Sequence, residues 1–325
     1  MMASSSDRPI ILRKRPDLVV TEETYDGRTF YMIKDPVGLN YFRFHEEEFQ
    51  ILELLNGNRS MLEIKKAFEK KFKPQRLKLT ELQGFLGQLH ESGLVLSESR
   101  GQGEKLLKRA DDHTRRKIAG ALANILYIKL PGFDPERILK WMHPYFRWIF
   151  TPAGVIGAFL LMMSAILLVA TNFDEFRSKP EMQSFQAFFN VHNIVWLWIA
   201  MAVVKVIHEF GHGLTCTNFG GECHEMGVLL LVFSPGLYCN VSDAWMMPNK
   251  WHRIWISAAG IYVEVVLASI ATWLWWFSSP GLLHNLSFAV MFICSVNTVV
   301  MNANPLMKFD GYYMMSDWLE IPNLQ

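Results

Sequence analysis

Hydrophobic and polar positions divide the chain into a charged front and an apolar back. Four stretches of the back carry almost no charge: residues 148–173, 182–204, about 254–277, which Glu264 interrupts, and about 282–302. Each reaches the roughly 20 residues that a helix needs to cross the hydrocarbon of a bilayer. The pattern therefore predicts a multi-pass α-helical membrane protein with about four transmembrane helices.

In the charged front of the chain, short stretches with strand-forming or helical patterns predict a small domain of strands and helices. Residues 29–34 and 40–44 are rich in strand formers and flank a turn-forming sequence, DPVG, which is typical of a hairpin. Ser60 and Glu63 have the spacing of a capping box that opens a helix. After the hairpin the pattern predicts helices over 45–55, 61–73 and about 80–92, and a strand over 94–98. We therefore predict a winged-helix-like α+β soluble domain over residues 17–98, behind a disordered start at residues 1–16.

The segment between the two parts has two characters. Residues 99–117 are polar and contain glycine, which is typical of a linker. Trp141, Tyr145 and Trp148 then follow among positive charges, as in segments that lie at a membrane surface. We predict a linker and interfacial segment over residues 99–146 and a membrane core over residues 147–325.

Charge follows the same division. Residues 1–117 hold 22 of the 32 Lys and Arg residues and 18 of the 31 Asp and Glu residues, and the net charge is only +1. This balance argues against a dedicated nucleic-acid-binding protein. The four cysteines match no disulfide framework or zinc-binding pair, so we expect buried free thiols. They are Cys216, Cys223, Cys239 and Cys294.

The loop charges also predict an orientation. More Lys and Arg residues precede the first span and separate the second from the third than lie in the other two connections. The side with more positive charge faces the cytoplasm in membrane proteins. The first 20 residues contain arginines and no secretory signal. We therefore predict a cytoplasmic N-terminal domain.

The sequence VIHEFGHGL, residues 206–214, places ionisable groups beside an apolar run, where lipid makes them costly. It contains the pattern HExxH. Because His208 and His212 are four residues apart, they lie on one face of a helix, about 6 Å apart along its axis, and can hold one Zn²⁺ ion. Glu209 between them can act as a general base toward water. A pair of histidines satisfied by neighbouring polar groups is the alternative.

A catalytic zinc commonly has three protein ligands, so a third must be found. Cys216 lies about 12 Å along the helix from His208, which is too far to share one ion. A nearby polar cluster supplies alternative metal ligands. They are Glu222, Cys223 and His224.

Asp310 is the favoured third ligand. It follows the fourth span, where Pro305 interrupts helical hydrogen bonding and Gly311 permits a turn after the aspartate. A carboxylate on a broken membrane helix requires a partner, and a metal ion supplies one. The alternative is an aspartate that merely caps the next segment.

Two paired motifs carry a family resemblance. HEFGH, residues 208–212, and NPLMKFDG, residues 304–311, resemble the motifs HExxH and NPxxxxDG of the site-2 protease family of intramembrane zinc metalloproteases. The resemblance covers about residues 150–315. It implies the following roles: zinc ligands His208, His212 and Asp310, catalytic base Glu209 and supporting residue Asn304.

The sequences FSPGLYCNVSDAW and AAGIYVE resemble a bacterial branch of that family. In that branch a PqqD-like peptide-chaperone domain precedes the protease core, and residues 17–98 are similar to such domains around LLNGNRSMLEI. The resemblance implies binding of a leader peptide as an added strand, and a re-entrant strand pair over residues 227–241 with its turn at SPG, residues 234–236. It also implies the bacterial inner membrane and a partner in an export system. The chain ends at Gln325 without the fifth span and adaptor-like region of that branch, so we expect a shortened chain or a minimal member.

These observations predict a zinc metalloprotease that hydrolyses peptide bonds of membrane-associated or exported peptides. Its predicted partners are membrane lipid and a transmembrane or leader-peptide substrate. The alternative is a peptide-binding maturation or export accessory with a non-proteolytic metal site, although such a protein would not need Glu209 as a base. We expect residues 216–226 and a row of asparagines to line a polar path to the site, unless the asparagines bond neighbouring helices instead. The row is Asn297, Asn302 and Asn304.

Overall fold

A computed structural model of the 325-residue chain describes residues 8–25, 27–97, 127–179, 191–231 and 234–321. The chain divides into two compact units, residues 1–124 and 125–325. The boundary between the units lies inside residues 99–146, the segment predicted as linker and interfacial, and after the polar linker predicted over residues 99–117.

The first unit contains two small antiparallel sheets and three helices. One sheet has the strand order β2-β3-β4, and the other pairs β1 with β5. The strands are β1 (Leu12–Lys14), β2 (Val19–Tyr25), β3 (Arg28–Asp35), β4 (Asn40–His45) and β5 (Val95–Ser97). The helices are α1 (Glu46–Leu54), α2 (Met61–Lys71) and α3 (Leu79–Glu91). The prediction of a small α+β region with a hairpin, three helices and a last strand is confirmed.

Local signals set the ends of these elements. Ser60 Oγ accepts a hydrogen bond from the Glu63 backbone N–H at 3.3 Å, and Glu63 Oε2 accepts one from the Ser60 N–H at 2.9 Å. Gly93 has a φ of 74°, a left-handed conformation that stops α3 at little steric cost. The apolar faces of the three helices then meet β3 and β5 in one core. Its fully buried members include Ile33, Leu52, Ile64, Leu82, Leu89 and Leu94.

The predicted disordered start is wrong for Leu12–Lys14. These residues form β1 and pair antiparallel with Val95–Ser97. The Lys14 N–H also donates to the Leu55 carbonyl at 3.0 Å. The order comes from pairing with distant parts of the chain, which the polar local composition does not reveal.

The second unit is dominated by long helices. In chain order its helices are α4 (Glu136–Phe146), α5 (Pro152–Thr171), α6 (Phe173–Ser178), α7 (Val191–Asn218), α8 (Lys250–Phe277), α9 (Leu282–Asn297) and α10 (Asp310–Leu319). A π-helical turn, Thr298–Asn302, extends α9. In the described residues, four helices are long and apolar enough to cross a membrane: Pro152–Thr171, Ile194–Asn218, Lys250–Phe277 and Leu282–Asn302. The protein is thus a multi-pass α-helical membrane protein, as predicted.

The second span lies later in the chain than predicted. We expected residues 182–204, whereas the apolar helix runs over Ile194–Asn218, and residues 180–190 lie outside the described part. The sequence pattern ends at Val204 because Lys205 and His208 interrupt the apolar run. The helix nevertheless continues, since both polar side chains contact Glu264 on α8. The HExxH motif therefore lies inside the span.

A small sheet accompanies the membrane helices. The predicted strand pair is confirmed as β7 (Met226–Leu231) and β8 (Ser234–Cys239), and β6 (Tyr127–Lys129) adds a third strand from the segment predicted as linker and interfacial. The turn predicted at residues 234–236 lies within β8 instead. Pro235 is tolerated there because β8 has a partner on one side only, among the described strands. The connection falls at residues 232–233, outside the described residues.

Helix α4 has the two faces of an interfacial helix. Trp141 and Tyr145 are exposed, as is Trp148 just beyond the helix. On the other face Leu139 is fully buried and packs with Leu214 of α7. The segment between β6 and α5 thus belongs to the membrane unit.

Helix α8 is the centre of the membrane unit, because α5, α7, α9 and α10 all pack against it. A hydrophobic cluster that includes Val204, Trp275 and Phe288 joins α7, α8 and α9. Toward the C-terminal ends of α7 and α9 and the middle of α8, the buried side chains become polar, and they include His208, Glu264 and Asn302. The functional residues lie there.

Candidate metal centre

Two histidines of α7 form the core of the site. His208 and His212 are only 4% and 6% exposed, their ring centroids are 4.8 Å apart, and their Nε2 atoms are separated by 3.1 Å. The spacing of four residues thus places both rings on one helix face, as predicted. Glu209 is half-buried and lies about 60° around the helix from His212.

Asp310, the first residue of α10, joins this pair from a distant part of the chain. Its Oδ2 lies 3.3 Å from His208 Nε2, and its Oδ1 lies 3.4 Å from His212 Nε2. The three donor atoms lie within 4.8 Å of one another. Within the described ranges, no second group of three or more His, Cys, Asp or Glu side chains has such spacing. The structure therefore brings together the three residues predicted as ligands.

The connection between α9 and α10 aims Asp310 at the histidines. Asn304 Oδ1 accepts a hydrogen bond from the Leu306 N–H at 2.9 Å, so the asparagine holds the turn that contains Pro305. A Cβ atom on Gly311 would lie 2.5 Å from the carbonyl carbon and oxygen of Ala303. Gly311 therefore permits close packing of α10 on this turn. The prediction that it allows a turn after the aspartate is wrong, because Gly311 lies in the first turn of α10.

Two ion pairs hold α10 on α8. Arg253, which is 3% exposed, donates from Nε to Asp317 Oδ1 at 2.8 Å and from a guanidinium nitrogen to the Met247 carbonyl at 2.7 Å. Lys250 Nζ lies 2.6 Å from Glu320 Oε1. These contacts fix the helix whose first residue is Asp310.

The second ring nitrogen of each histidine faces an acceptor. His212 Nδ1 lies 2.7 Å from the carbonyl oxygen of Ile256, and His208 Nδ1 lies 2.9 Å from Glu264 Oε1. Because the Ile256 carbonyl can only accept, Nδ1 of a neutral His212 carries the hydrogen and its Nε2 keeps the lone pair. His208 Nδ1 lies within ion-pair distance of the Glu264 carboxylate but outside hydrogen-bond geometry, and the carboxylate favours the same tautomer there. Both lone pairs are then available in the space shared with Asp310.

Gly260 lets α8 approach the two imidazoles. A Cβ atom at this position would collide with the ring of His208 and would lie 2.6 Å from His212 Nε2. The rings are thus confined between α7 and α8.

Sequence reasoning missed Glu264, whose side chain is completely buried beside His208. We noted it only as a charge that interrupts the third span. A carboxylate within a span requires partners, and Lys205, one turn before His208, is the other charge of that region. Besides its contact with His208, the Glu264 carboxylate accepts hydrogen bonds from four side chains. The donors are Lys205 Nζ at 2.9 Å, Asn297 Nδ2 at 3.1 Å, Thr298 Oγ1 at 2.5 Å and Asn302 Nδ2 at 3.0 Å.

The asparagine row therefore has a different place from the one expected. Asn297 and Asn302 donate to Glu264, and Asn302 is buried, so these two residues bond a neighbouring helix. Asn304 instead holds the turn before α10. The predicted asparagine-lined path to the site is wrong for Asn297 and Asn302.

The donor set fits a divalent cation. With the hydrogen on Nδ1 of both rings, the two Nε2 atoms, 3.1 Å apart, are both acceptors and do not hydrogen-bond to each other. Asp310 Oδ2 is buried without a hydrogen-bond partner. In their ordinary ionised forms, Glu209, Glu264 and Asp310 carry three negative charges, against one positive charge on Lys205. A divalent cation balances the difference within an apolar surrounding. Two imidazoles and a carboxylate are a donor set that zinc accepts.

The alternative ligands lie elsewhere. Cys223 is buried, and its Sγ lies 3.3 Å from Cys239 Sγ and outside the ligand group. His224 lies 3.3 Å from Glu222 and 3.5 Å from Asp134. Although partial burial lowers the pKa of His224, these carboxylates raise it overall above its ordinary value. None of the three alternative ligands joins the histidine pair of α7.

Cys216 also lies outside the site, as its distance along the helix predicts. It is fully buried and packs with Ala244, Met247 and Ile256. Its Sγ lies 3.9 Å from the Glu222 carbonyl oxygen. All four cysteines are free thiols, as expected.

Comparison with known proteins identifies the kind of domain that carries this geometry. Residues 196–289 match Peptidase family M50, and the matched segment includes the histidine pair and Glu264 and ends before Asp310. No curated protein and no solved structure matches the chain. Peptidase family M50 comprises zinc metalloendopeptidases of the site-2 protease type, so the predicted enzyme class and the predicted zinc are confirmed. The match does not reach residues 17–98, for which the PqqD-like resemblance stays a prediction.

Proposed function

We propose that this chain uses its M50 domain to hydrolyse peptide bonds of membrane-associated or exported peptides. The observation that carries the proposal is the convergence of three donor atoms within 4.8 Å at a membrane span of that domain. His208, His212 and Asp310 are the proposed zinc ligands. Glu209, beside them on α7, is the proposed general base.

Each residue then has a chemical task. Zinc held by the three ligands would supply Lewis-acid polarisation of the scissile carbonyl and of water. Glu209 accepts the proton that the attacking water loses as the new C–O bond forms. It then delivers that proton to the amine nitrogen as the C–N bond breaks. The contact of His212 Nδ1 with the Ile256 carbonyl keeps that ring in the orientation that binding requires.

We propose that β8 presents the substrate. This strand packs against α7, and Cys239 Sγ lies 3.5 Å from the position of a Cβ atom on Gly213, next to His212. Among the described strands, β8 has a neighbour only on its β7 side. An extended peptide can pair with such an edge through its backbone, which suits a protease that acts on extended substrates.

We also propose a location and a role for the N-terminal unit. The loop charges favour a cytoplasmic N-terminus, and the family resemblance favours the bacterial inner membrane. The three-stranded sheet of this unit ends in edge strands β2 and β4, to which a leader peptide could pair. An export system is the corresponding class of partner.

The test compares two glutamates. Purified protein in detergent is expected to carry about one zinc per chain, and His208→Ala is expected to remove it. Glu209→Gln should keep the zinc and lower the cleavage rate about 10²- to 10⁴-fold, because it removes the base and no ligand. Glu175→Gln, the same change at an exposed residue of α6, should leave both unaltered. The measurements are zinc content by mass spectrometry and cleavage of a fluorescent peptide with an apolar segment of about 20 residues.

The outcomes separate the two functions considered. Wild-type cleavage by Glu209→Gln, or full zinc in His208→Ala, would contradict the protease. A wild-type protein that binds zinc and the peptide but does not cleave it would favour the maturation or export accessory.

A further inference from the structure

Glu264 is the most enclosed ionisable group beside the metal centre, with a side chain that is 0% exposed. We propose that Glu264 is a positioning residue, which fixes the metal-binding orientation of His208. This inference rests on the proposed function, because it assumes that His208 binds zinc. It adds a residue that the HExxH and NPxxxxDG motifs do not contain.

The first argument is the contact with His208. Glu264 Oε1 lies 2.9 Å from His208 Nδ1, on the side of the ring opposite to Asp310. A carboxylate at this nitrogen holds the hydrogen on Nδ1 and leaves the Nε2 lone pair for the metal. With the metal bound at Nε2, the carboxylate beside Nδ1 would also limit rotation of the ring.

The second argument is the difference between the two histidines. His212 Nδ1 faces a backbone carbonyl, that of Ile256, at 2.7 Å. No side-chain substitution removes that acceptor. The orientation of His208, in contrast, depends on the side chain of Glu264. Only one of the two imidazoles can therefore be released by a single substitution of its partner.

The third argument is that Glu264 joins both ligand-bearing segments. It contacts Lys205 and His208 on α7, and it accepts hydrogen bonds from Thr298 and Asn302 in the π-helical turn. That turn leads directly into the connection that carries Asp310. A carboxylate buried within the membrane is costly unless it is paired. The ammonium group of Lys205, at 2.9 Å, supplies the opposite charge.

The test measures zinc affinity in purified full-length protein by competition with a chelator. Glu264→Gln keeps the size of the side chain but removes its charge, and we expect the zinc Kd to rise 10- to 100-fold. Ser269→Ala is the control: Ser269 is also buried on α8, but its hydroxyl bonds only to the Val265 carbonyl of its own helix among the contacts described. Its zinc Kd should equal that of the wild type.

A second readout separates positioning from simple folding. In protein loaded with Co²⁺, the visible d–d absorption should change in Glu264→Gln and remain unchanged in Ser269→Ala, because only the former alters the ligand geometry. If Glu264→Gln does not fold because Lys205 is left unpaired, the charge-balanced pair Lys205→Met/Glu264→Gln replaces it. The pair should unfold near the wild-type temperature in its metal-free form and still bind zinc 10- to 100-fold more weakly.

The result that would overturn the inference is specific. If Glu264→Gln, or the charge-balanced pair, has the zinc Kd and the Co²⁺ spectrum of the wild type, Glu264 is only a structural residue. The proposed function would still stand in that case, provided that His208→Ala and Glu209→Gln behave as proposed. A wild-type chain that binds no zinc, in contrast, would overturn the proposed function and this inference with it.

Discussion

At the scale of the residue, Gly260 determines how closely α8 approaches the two imidazoles. A methyl group there would collide with His208 and lie 2.6 Å from His212 Nε2. We expect Gly260→Ala to displace both rings and to lower zinc occupancy well below one per chain, because the methyl group would occupy the space of the imidazole atoms that bind the metal. Zinc content of the purified variant is the measurement.

Gly157 on α5 is the matched control for this change. It also lies in a membrane span, and a Cβ atom at that position would have no neighbour within 4 Å. Gly157→Ala should bind zinc like the wild type. Equal zinc content in Gly260→Ala and Gly157→Ala would show that the rings tolerate the methyl group, contrary to this expectation.

Asp310 is the residue whose role depends most on the tertiary arrangement. Three protein ligands hold zinc better than two, so Asp310→Ala is expected to lose zinc and cleavage together. Cys216→Ala and Cys223→Ala should lose neither, since both thiols lie outside the ligand group. Parallel zinc measurements decide the matter. Retention of zinc by Asp310→Ala and its loss in either cysteine variant would move the third ligand to residues 216–224.

At the scale of the element, α10 carries Asp310, and its position depends on contacts with α8. Arg253→Met removes a buried guanidinium and leaves Asp317 without its partner, a change that costs about 3–5 kcal/mol for a buried pair. We expect α10 to loosen, with faster hydrogen exchange over residues 310–319 and weaker zinc binding. Exchange mass spectrometry and chelator competition measure the two effects.

The neighbouring ion pair provides the comparison. Lys250 on α8 pairs with Glu320, the residue that follows α10, but their side chains are 34% and 27% exposed. Lys250→Met should therefore change stability by only about 0–1 kcal/mol and leave zinc affinity unaltered. If hydrogen exchange over residues 310–319 and zinc affinity equal those of the wild type in both variants, the attachment of α10 does not depend on these pairs.

Helix α7 shows how an element can extend beyond its apolar run. Lys205 and His208 would end a span in a lone helix, but here α8 supplies Glu264 as a partner for both. The helix thus continues to Asn218 and carries the metal motif within the apolar layer. The span boundaries could be predicted only where no such partner intervenes, as in α5.

At the scale of the whole molecule, the proposed orientation predicts which loops face each side of the membrane. With a cytoplasmic N-terminus, the connection between α8 and α9 lies on the outer side. A cysteine at exposed Val37 should then resist a membrane-impermeant maleimide in intact cells and react after permeabilisation. A cysteine at exposed Ser279 should react in intact cells.

The wild-type chain is the control for both variants, because Cys216, Cys223 and Cys294 are buried and Cys239 is partly so. Labelling of Val37→Cys in intact cells, with protection of Ser279→Cys, would reverse the proposed orientation. It would leave the metal centre unaffected, since the centre depends only on contacts within the membrane unit.

The sequence by itself determined the features that depend on neighbouring residues. It placed His208 and His212 on one helix face, predicted four spans, and marked the capping box at Ser60, because helical periodicity, apolar length and local hydrogen bonds need no distant partner. The paired family motif pointed to Asp310, although spacing alone left other ligands open.

Only the tertiary structure decided which distant groups meet. It brought Asp310 to the histidines, assigned Glu264 to His208 and Lys205, and paired β1 with β5 and β6 with β7. A buried charge or an unpaired strand needs a partner, but the requirement does not say which residue will meet it. That choice is made when the helices pack, since contacts between remote segments depend on the closest approach of whole elements and not on their spacing in the chain.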